Sequence, residues 1–289
     1  MSDVETSSLS FFSKKPTACP ICEANFYKED LRTGRGRLIA GDLTEELRRL
    51  YEPSKKYGAV YPLIYPVMVC PKCYYAAYPM DFSEIQEPTK NKIEEDTDRR
   101  ISSIQLIFPE LEFEQHRTLK EGAASYFLAI MCYDFFPPEK SPTIKRAISA
   151  LRGAWLFNDL DQNFPLENYD YLSKLFYRKA RFFYILSVEY EQSGKEGMAS
   201  IPNLGPDLDK NYGYDGVLYL SAYLEYKYGP RKDTEMRKTY LNNAKRTLSR
   251  IFGMGKASKN KPSILLDLAR DVRTKITEEI EEEGENGST

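Results

Sequence analysis

Two Cys-Pro-x-Cys pairs near the N-terminus constrain this chain more than any other feature. Cys19 and Cys22 form the first pair, Cys70 and Cys73 form the second, and 47 residues separate the pairs. A single pair is compatible with a redox dithiol, half of a metal site or a local disulfide. Two matched pairs favour one metal site, because two tight turns that face each other can place four thiolates at the corners of a tetrahedron.

Zinc is the predicted ion, since it prefers tetrahedral thiolate coordination with Zn–S bonds of about 2.3 Å. Iron is the alternative, because four-thiolate sites also bind iron. Four thiolates leave no open position, so the pattern favours a structural site over a catalytic one. Two buried cysteine pairs that share no metal are one alternative. A thioredoxin-like redox dithiol is another, but it would need one CxxC that opens a helix after a strand, not a matched second pair. Cys132 lies in an apolar helical segment and is predicted to be a buried free thiol outside the site.

The overall composition is that of a globular chain without a strong charge bias. Hydrophobic residues make up 42% and the net charge is −2 over 289 residues, so charge alone predicts neither a nucleic-acid nor a membrane partner. The start of the chain shows no secretory signal, and no apolar run approaches the roughly 20 residues of a membrane-spanning helix. We therefore expect a cytoplasmic protein, in which cysteines are metal ligands or free thiols rather than disulfides.

The chain is predicted to have a mainly α fold in four segments: a flexible leader over 1–18, a zinc-ribbon-like module of four cysteines with an inserted loop over 19–82, a TPR-like helical domain over 83–283, and an acidic disordered tail over 284–289. Within the module, "TEELRRLYE" predicts a short helix, and "LIYPVMVCP" predicts an extended run that Pro66 interrupts.

Proline and glycine punctuate a 3.6-residue apolar periodicity after residue 83, which predicts a series of helices. Ser141 and Pro142 are typical of a helix start, and Gly194 and Gly229 of helix ends. The small residues of "AISALRGA" and "AKRTLSRI" have the spacing of the second TPR helix, which favours a TPR-like antiparallel array. The predicted helices cover 83–107, 112–136, 142–160, 167–193, 214–228, 231–252 and 262–283.

The two cysteine segments, "CPICEANFYKEDLRTGRGRLIAGD" and "YPLIYPVMVCPKCYYAAYPMDF", resemble a bacterial family of uncharacterised proteins that joins a double-CxxC module to a TPR-like helical array. That family has an Arg-rich stretch after its first pair and a VCPxCGYA-like segment around its second. The resemblance covers about residues 19–82 and implies the metal module and the helical architecture, but no activity. Tyr74 stands where the family has glycine. The matching residues are Cys19, Cys22, Cys70, Cys73, Tyr75, Ala76 and Phe82.

The segment "RTGRGR" between the cysteine pairs is a small basic cluster formed by Arg32, Arg35 and Arg37. Such an arm beside a zinc module can contact the phosphates of a nucleic acid. However, the surrounding residues 28–56 contain eight basic and six acidic side chains. A solvated loop with one arginine paired to a nearby acid is therefore the simpler interpretation.

Three other features bear on function. Tyr219, Tyr223 and Tyr226 fall on one helical stripe, which is either core or the wall of a groove that binds a peptide. "FGMGKASKNK" lacks the first glycine and the Ser/Thr of a phosphate loop and follows a helix, so Gly253 and Gly255 are assigned to a helix end. The only histidine, His116, is predicted to be exposed and without an acid-base role.

These features favour a zinc-binding interaction or scaffold protein, with the zinc module orienting a helical array that binds a protein or peptide partner. The alternative is a nucleic-acid-binding zinc protein that uses the loop from Arg32 to Arg37. An enzyme of unrecognised type is the second alternative. No nucleophile–base pair, open metal site or phosphate loop is recognisable in the sequence, so we do not expect an enzyme.

Overall fold

Four short antiparallel strand pairs build the N-terminal part of the computed structural model, which describes residues 9–252 and 261–286. Each cysteine pair lies in the turn of one strand pair, and a longer hairpin lies between these two turns. The pairs are β1 (Ser10–Phe12) with β4 (Glu29–Leu31), β2 (Thr17–Ala18) with β3 (Asn25–Phe26), β5 (Ile39–Leu43) with β6 (Arg49–Glu52), and β7 (Met68–Val69) with β8 (Ala76–Ala77).

Helices make up most of the chain after the second cysteine pair. A 3₁₀ turn at Pro62–Ile64 precedes that pair, and another at Pro138–Lys140 separates the fourth helix from the fifth. Within the described residues, none of the helices is long and apolar enough to cross a membrane. The helices are α1 (Pro79–Phe82), α2 (Glu87–Glu95), α3 (Thr97–Gln105), α4 (Leu119–Tyr133), α5 (Pro142–Asn163), α6 (Tyr169–Ser193), α7 (Gly213–Tyr228), α8 (Thr234–Ser249) and α9 (Ser263–Asn286).

Consecutive long helices pack side by side. Ser173 of α6 donates to the carbonyl oxygen of Ala154 in α5 at 3.0 Å. Arg237 near the start of α8 donates to the carbonyl oxygen of Glu225 near the end of α7 at 2.9 Å. The predicted mainly helical fold with a small N-terminal cysteine module is therefore confirmed. The assignment of these helices to TPR repeats stays a prediction.

Two predicted helix boundaries differ from the structure. The helix predicted over 83–107 is two short helices, α2 and α3, which meet at Asp96. The helix predicted from residue 112 begins only at residue 119, because Thr118 and Glu121 form a capping box. The Thr118 hydroxyl accepts from Lys120 N at 3.1 Å, and Glu121 Oε2 accepts from Thr118 N at 3.0 Å. The sequence "TLKE" carries this signal.

Helix α5 begins at Pro142 as predicted, but a different side chain caps it. The Ser141 hydroxyl donates to the Gly197 carbonyl oxygen at 2.5 Å instead of accepting from the helix. Glu196 takes over the cap, since its carboxylate accepts from Thr143 N at 3.0 Å and from Thr143 Oγ1 at 2.7 Å. The loop after α6 thus holds the N-terminus of α5.

Two N-terminal predictions are wrong. Residues 10–12 and 17–18, predicted to belong to a flexible leader, form β1 and β2, which pair with β4 and β3. The segment "TEELRRLYE" forms the tip and the second strand of the β5–β6 hairpin instead of a helix. Its five-residue tip, Thr44–Arg48, is closed by Thr44 N donating to Arg48 O at 2.9 Å and Leu47 N to Thr44 O at 3.0 Å. Helix propensity is a weak preference, and the contacts of this tip with the helical array outweigh it.

Several predictions concern residues beyond those described. Residues 1–8 of the predicted leader, 253–260 of the "FGMGKASKNK" segment and 287–289 of the predicted tail lie outside the described residues. Residues 284–286, also predicted to be disordered, belong to α9.

A continuous apolar core joins the cysteine module to the helical array. Tyr75 and Phe82 are fully buried in it, with ring centroids 4.7 Å apart, and Phe26 packs edge-on against Phe82 at 5.7 Å. The Tyr78 hydroxyl lies 3.0 Å from the Ser149 hydroxyl of α5. The expectation that the rings after the second cysteine pair pack against the helices is therefore confirmed.

Gly122→Ala is expected to destabilise this junction, although alanine usually favours a helix. A Cβ atom on Gly122 in α4 would lie 2.5 Å from Ile64 Cγ2 and 3.0 Å from Ile64 Cα. The 3₁₀ turn would have to move, at a cost of about 1–3 kcal/mol for an overpacked core. Thermal unfolding measures the effect. Gly197→Ala is the control, since a Cβ there meets no atom within 4 Å, and equal melting temperatures for both variants would contradict the prediction.

Candidate metal centre

The two cysteine turns have the same backbone structure. In each, the first cysteine and the residue after the second one are linked by a hydrogen bond, and the flanking strands close the turn. The equivalent bonds are Glu23 N to Cys19 O (3.0 Å) and Tyr74 N to Cys70 O (2.9 Å), and Cys19 N to Ala24 O (2.9 Å) and Cys70 N to Tyr75 O (2.9 Å). This repeated geometry is that of two knuckles, as the paired motif predicts.

Both knuckles place a bulky residue where glycine is usual. Glu23 has φ 61° and Tyr74 has φ 54°, in the left-handed region that favours glycine. Tyr74 therefore keeps the backbone conformation of the family's glycine. Its ring packs edge-on against Phe113 at 5.5 Å, and its hydroxyl donates to the Leu111 carbonyl oxygen at 3.5 Å. These contacts help to offset the strain at Tyr74.

The four predicted ligands meet at one point. The sulfur atoms of Cys19, Cys22, Cys70 and Cys73 all lie within 4.8 Å of one another. The Cys19–Cys73 and Cys22–Cys70 sulfur separations across the two knuckles are 3.6 and 3.5 Å. Tetrahedral zinc with Zn–S bonds of about 2.3 Å has S–S edges of about 3.8 Å, whereas a disulfide bond is about 2.05 Å long. The donor set therefore fits a metal ion and could hold one.

The thiols of the cluster influence each other's ionisation. Hydrogen bonds from Cys70 and Cys73 lower the pKa of Cys19 to about 4. The pKa of Cys73 is raised, because its sulfur lies beside that of Cys19. Three of the four cysteines in this cluster are buried, and their thiols titrate together. A bound cation would favour the thiolate form of all four, which is the form that ligates metals.

Arg100 of α3 binds the backbone of the second knuckle. This side chain has no exposed surface, and its Nη2 and Nε atoms donate to the Cys73 carbonyl oxygen at 2.8 and 3.3 Å. Its Nη1 atom also donates to the Ile93 carbonyl oxygen at 2.9 Å and lies 3.5 Å from Asp96 Oδ2. Four thiolates around a divalent ion leave two negative charges in excess, and this buried guanidinium lies where it can offset part of them. No local pattern in the sequence indicates this role.

Cys132 stands apart from the cluster, as predicted. It is buried in α4 and accepts a hydrogen bond from Ala76 N at 3.4 Å. Burial raises the pKa of its thiol to about 11. Cys132 therefore supports strand β8 from the helical side as a protonated thiol.

The basic loop is engaged in local contacts. Arg32 donates to the Ser10 carbonyl oxygen at 2.9 Å and lies over the Phe11 ring at 5.1 Å. Arg37 donates to the Gly34 carbonyl oxygen at 3.3 Å and lies over the Tyr57 ring at 4.9 Å. These contacts hold the loop to the module.

The prediction that His116 is exposed is wrong. It is half-buried, and its Nδ1 atom lies 2.7 Å from Glu29 Oε1 and 3.0 Å from the Ser10 hydroxyl. Glu29 also accepts from Arg117 N at 2.9 Å. This cluster ties β1 and β4 to the segment before α4, across 87 residues of sequence between Glu29 and His116. Local sequence carries no signal for such a distant contact.

The tyrosine stripe of α7 holds the hairpin tip. Tyr219 and Tyr223 are buried, whereas Tyr226 is half-buried. The Tyr219 hydroxyl donates to the Glu45 carbonyl oxygen at 2.7 Å, and the Tyr223 hydroxyl lies 3.4 Å from Glu45 Oε2. Lys275 of α9 binds the other carboxylate oxygen of Glu45 at 2.6 Å. Tyr219 and Tyr223 therefore belong to the core, and their hydroxyls lie at the edge of the groove that the hairpin tip fills.

Glu46 inserts its carboxylate among aromatic side chains. It accepts hydrogen bonds from Tyr177 at 2.8 Å, from Tyr228 at 3.3 Å and from the Trp155 indole. The Tyr177 and Tyr228 rings stack with centroids 4.2 Å apart. Partial burial in this setting raises the pKa of Glu46.

Two arginines fix the other side of the tip. Arg48 forms a two-pronged ion pair with Asp159 of α5, at 3.1 and 2.5 Å. The backbone N–H of Arg49 donates to Asp207 Oδ2 at 2.7 Å, and its side chain binds Asp209 at 3.0 Å. The insertion between the two cysteine pairs thus reaches from the candidate metal centre to five parts of the helical array: α5, α6, the loop before α7, α7 itself and α9.

Glu46→Gln is expected to shift stability in a pH-dependent way. Because the folded pKa of Glu46 lies above its usual value of 4.5, the native state binds this proton more tightly, and wild-type stability falls as the pH rises through that window. Glutamine does not titrate, so the variant does not lose stability in this pH range. The melting temperature of the variant minus that of the wild type should therefore rise from about pH 5 to about pH 8.

Glu45→Gln is the matched control with the opposite sign. The hydrogen bond with Lys275 lowers the pKa of Glu45, so its contribution is present at neutral pH and is lost as the pH falls through the folded pKa. The melting-temperature difference for this variant should be flat above about pH 5 and should narrow in acid. If the melting temperature of Glu46→Gln minus that of the wild type stayed flat or fell between about pH 5 and about pH 8, the raised pKa of Glu46 would be contradicted.

Comparison with known proteins places the chain in a family. It is 47% identical over 273 residues to an uncharacterized protein of Borreliella burgdorferi, a match that covers 94% of this chain and 98% of that protein. No solved structure matches the chain. Residues 12–276 match the model of DUF2225, described as an uncharacterized protein conserved in bacteria. That match includes both cysteine pairs and all of the helices from α1 to α8, and the chain belongs to this bacterial family.

Proposed function

We propose that the four cysteines bind one structural zinc ion. The observation that carries this proposal is the approach of four sulfur atoms to within 4.8 Å of one another on two matched knuckles. Zinc favours such a closed tetrahedral thiolate set, and iron is the rival ion. A full shell of protein ligands leaves no position for a substrate or a water molecule, so the metal would stabilise the fold rather than react.

Elemental analysis of protein purified without added metal tests this assignment. We expect close to one zinc per chain in the wild type, and the same content in Cys132→Ala, whose cysteine lies outside the cluster. A red, iron-containing protein would show that the site binds iron instead of zinc. A metal-free protein with fully folded knuckles would overturn the proposal.

We further propose that the protein is a cytoplasmic interaction or scaffold protein, in which the metal module orients the helical array toward a protein partner. The support is the mode of attachment: the module shares one core with the helices and its insertion contacts α5, α7 and α9. Reduced thiols at the candidate metal site suit the cytoplasm, where disulfides are rare. The rings and charged groups around the hairpin tip resemble the residue types that dominate protein interfaces.

Affinity capture from the native cell, with nuclease treatment, tests this function against its alternatives. The wild type is expected to retain a protein in fixed proportion after nuclease treatment, and the metal-free Cys22→Ser variant should lose it. Arg35→Ala, which changes an exposed arginine of the basic loop, is the control and should keep it. Capture that depends on Arg35 and disappears with nuclease would favour the nucleic-acid alternative instead.

A further inference from the structure

We propose that the groove around the hairpin tip is the partner-binding surface, and that the tip occupies it in the manner of the partner. The partner presents an acidic turn: adjacent carboxylates followed by an apolar residue and a guanidinium, as in the Glu45–Arg48 sequence of the tip. This inference rests on the proposed interaction function and adds the site and the chemistry of the partner.

The groove binds the three charged side chains of the tip through groups on several helices. Lys275 of α9 and Tyr223 of α7 bind the first carboxylate, at Glu45. Hydroxyl and indole groups from α5, α6 and α7 donate to the second, at Glu46. Asp159 of α5 binds the guanidinium of Arg48. Donors and charges on four helices thus converge on one short turn, and complementary charge selects its sequence.

The hairpin is attached mainly through its tip. It has two strands, β5 and β6, whose residues are all half-buried or exposed, and each strand pairs only with the other. An isolated two-stranded hairpin is marginally stable in water. The contacts of the tip, together with those of Arg49 in β6 to Asp207 and Asp209, therefore hold it in place. A competing turn that replaced the tip contacts would loosen the hairpin without breaking a larger sheet.

The backbone of the tip is strained in its docked form. Leu47 is fully buried and has φ 61°, a left-handed conformation that is uncommon for a bulky side chain. Such strain persists only where surrounding contacts impose it, and it is concentrated at ligand clamps and switches. A partner turn without this strain would have an advantage over the tip.

The groove is also open beside the tip. A cleft of about 440 Å³ lies next to the tip. Its lining includes Glu45 and Glu46 on the tip, and Trp155, Tyr177 and Tyr223 on the helices. A competing turn can therefore reach the aromatic donors before the tip has left. Together, the complementary charges, the strain and the open cleft point to a receptor surface for an acidic turn.

The test supplies the turn from outside. The probe is a cyclised peptide of residues 39–52, "IAGDLTEELRRLYE", and the receptor is the full chain in which residues 44–48 are replaced by Asn-Gly. Leu43 and Arg49 are directly paired, so a two-residue turn can close the hairpin and leave the groove empty. Calorimetry should show saturable one-to-one binding to this variant and at least tenfold weaker binding to the wild type, whose groove is occupied.

The peptide itself provides the matched control. A peptide carrying Glu46→Ala should bind the emptied groove at least tenfold more weakly, whereas Asp42→Ala, which changes an exposed strand residue, should leave binding unchanged. If the Asn-Gly chain fails to fold, the single variant Glu46→Ala in the full chain serves as receptor. Its weakened tip should admit the wild-type peptide more readily than the wild-type chain does.

Three results would overturn the inference. One is the absence of peptide binding to a folded receptor variant. Another is equal binding by the wild type and the emptied groove, which would place the peptide elsewhere. The third is exchange of hairpins between wild-type chains, seen as dimers by light scattering, which would make a second copy the occupant. Captured partners in the cell bear on the proposed function separately, because a partner could bind another surface while the groove fails this test.

Discussion

Cys70→Ser is expected to abolish binding of the proposed zinc ion and unfold both knuckles, and to loosen α2, α3 and α4 as well. A structural zinc contributes about 10–16 kcal/mol to small zinc-dependent folds, which is comparable to the net stability of a whole domain at about 5–15 kcal/mol. The knuckle strands are only two residues long, so little else can hold them. The effect should spread because the module and the helices share a core.

Hydrogen exchange on wild type and variant measures this coupling. We expect faster exchange over 19–82 and also over 88–136 in Cys70→Ser. Cys132→Ala is the control for loss of a cysteine, since it removes a buried thiol in α4, and with it the acceptor of Ala76 N, but keeps all four candidate metal ligands. If 88–136 stays as protected as in the wild type while 19–80 exchanges freely, the module is an independent appendage, and its proposed role in orienting the array is wrong.

The features that sequence predicted well are those with local signals. The spacing of the two cysteine pairs indicated one cluster, and the structure brings all four sulfurs together. Apolar periodicity and the prolines and glycines around it indicated the helices from α5 to α9 to within a few residues, as for the helix predicted over 167–193 and found at Tyr169–Ser193. In both cases the physical cause lies within a few residues of its effect.

The missed features all depend on distant partners. Residues 45–48 have ordinary helix propensity, but Glu45 meets Tyr219 and Lys275 across 174 and 230 residues of sequence. His116 is held by Ser10 and Glu29 in the same way. Contacts of this kind leave no periodicity or local spacing to detect, so pattern alone assigns the tip to a helix and His116 to the surface. The groove is likewise visible in the sequence only as a stripe of tyrosines on α7.

Arg100→Met is expected to produce the second large effect, by separating the knuckle from the helices while all four sulfurs remain. Methionine has an unbranched apolar side chain without donors. The Cys73 carbonyl oxygen therefore loses both bonds from Arg100, and the Ile93 carbonyl oxygen loses one. Asp96, itself buried, loses one of its two arginine partners. Arg99 still pairs with Asp96 in this variant, so the main loss is that of the hydrogen bonds to the buried Cys73 carbonyl oxygen. A buried polar group left without its partner costs about 1–3 kcal/mol.

The neighbouring Arg99 offers a matched control for this prediction. It pairs with the same Asp96, but its side chain is 62% exposed, and exposed ion pairs contribute about 0–1 kcal/mol. Arg99→Met should therefore melt close to the wild type, while Arg100→Met melts far below it and releases its metal to a chelator several times faster. Equal metal release from the two variants would show that the guanidinium stabilises the helices alone. The buried arginine would then have no part in holding the second knuckle around the metal.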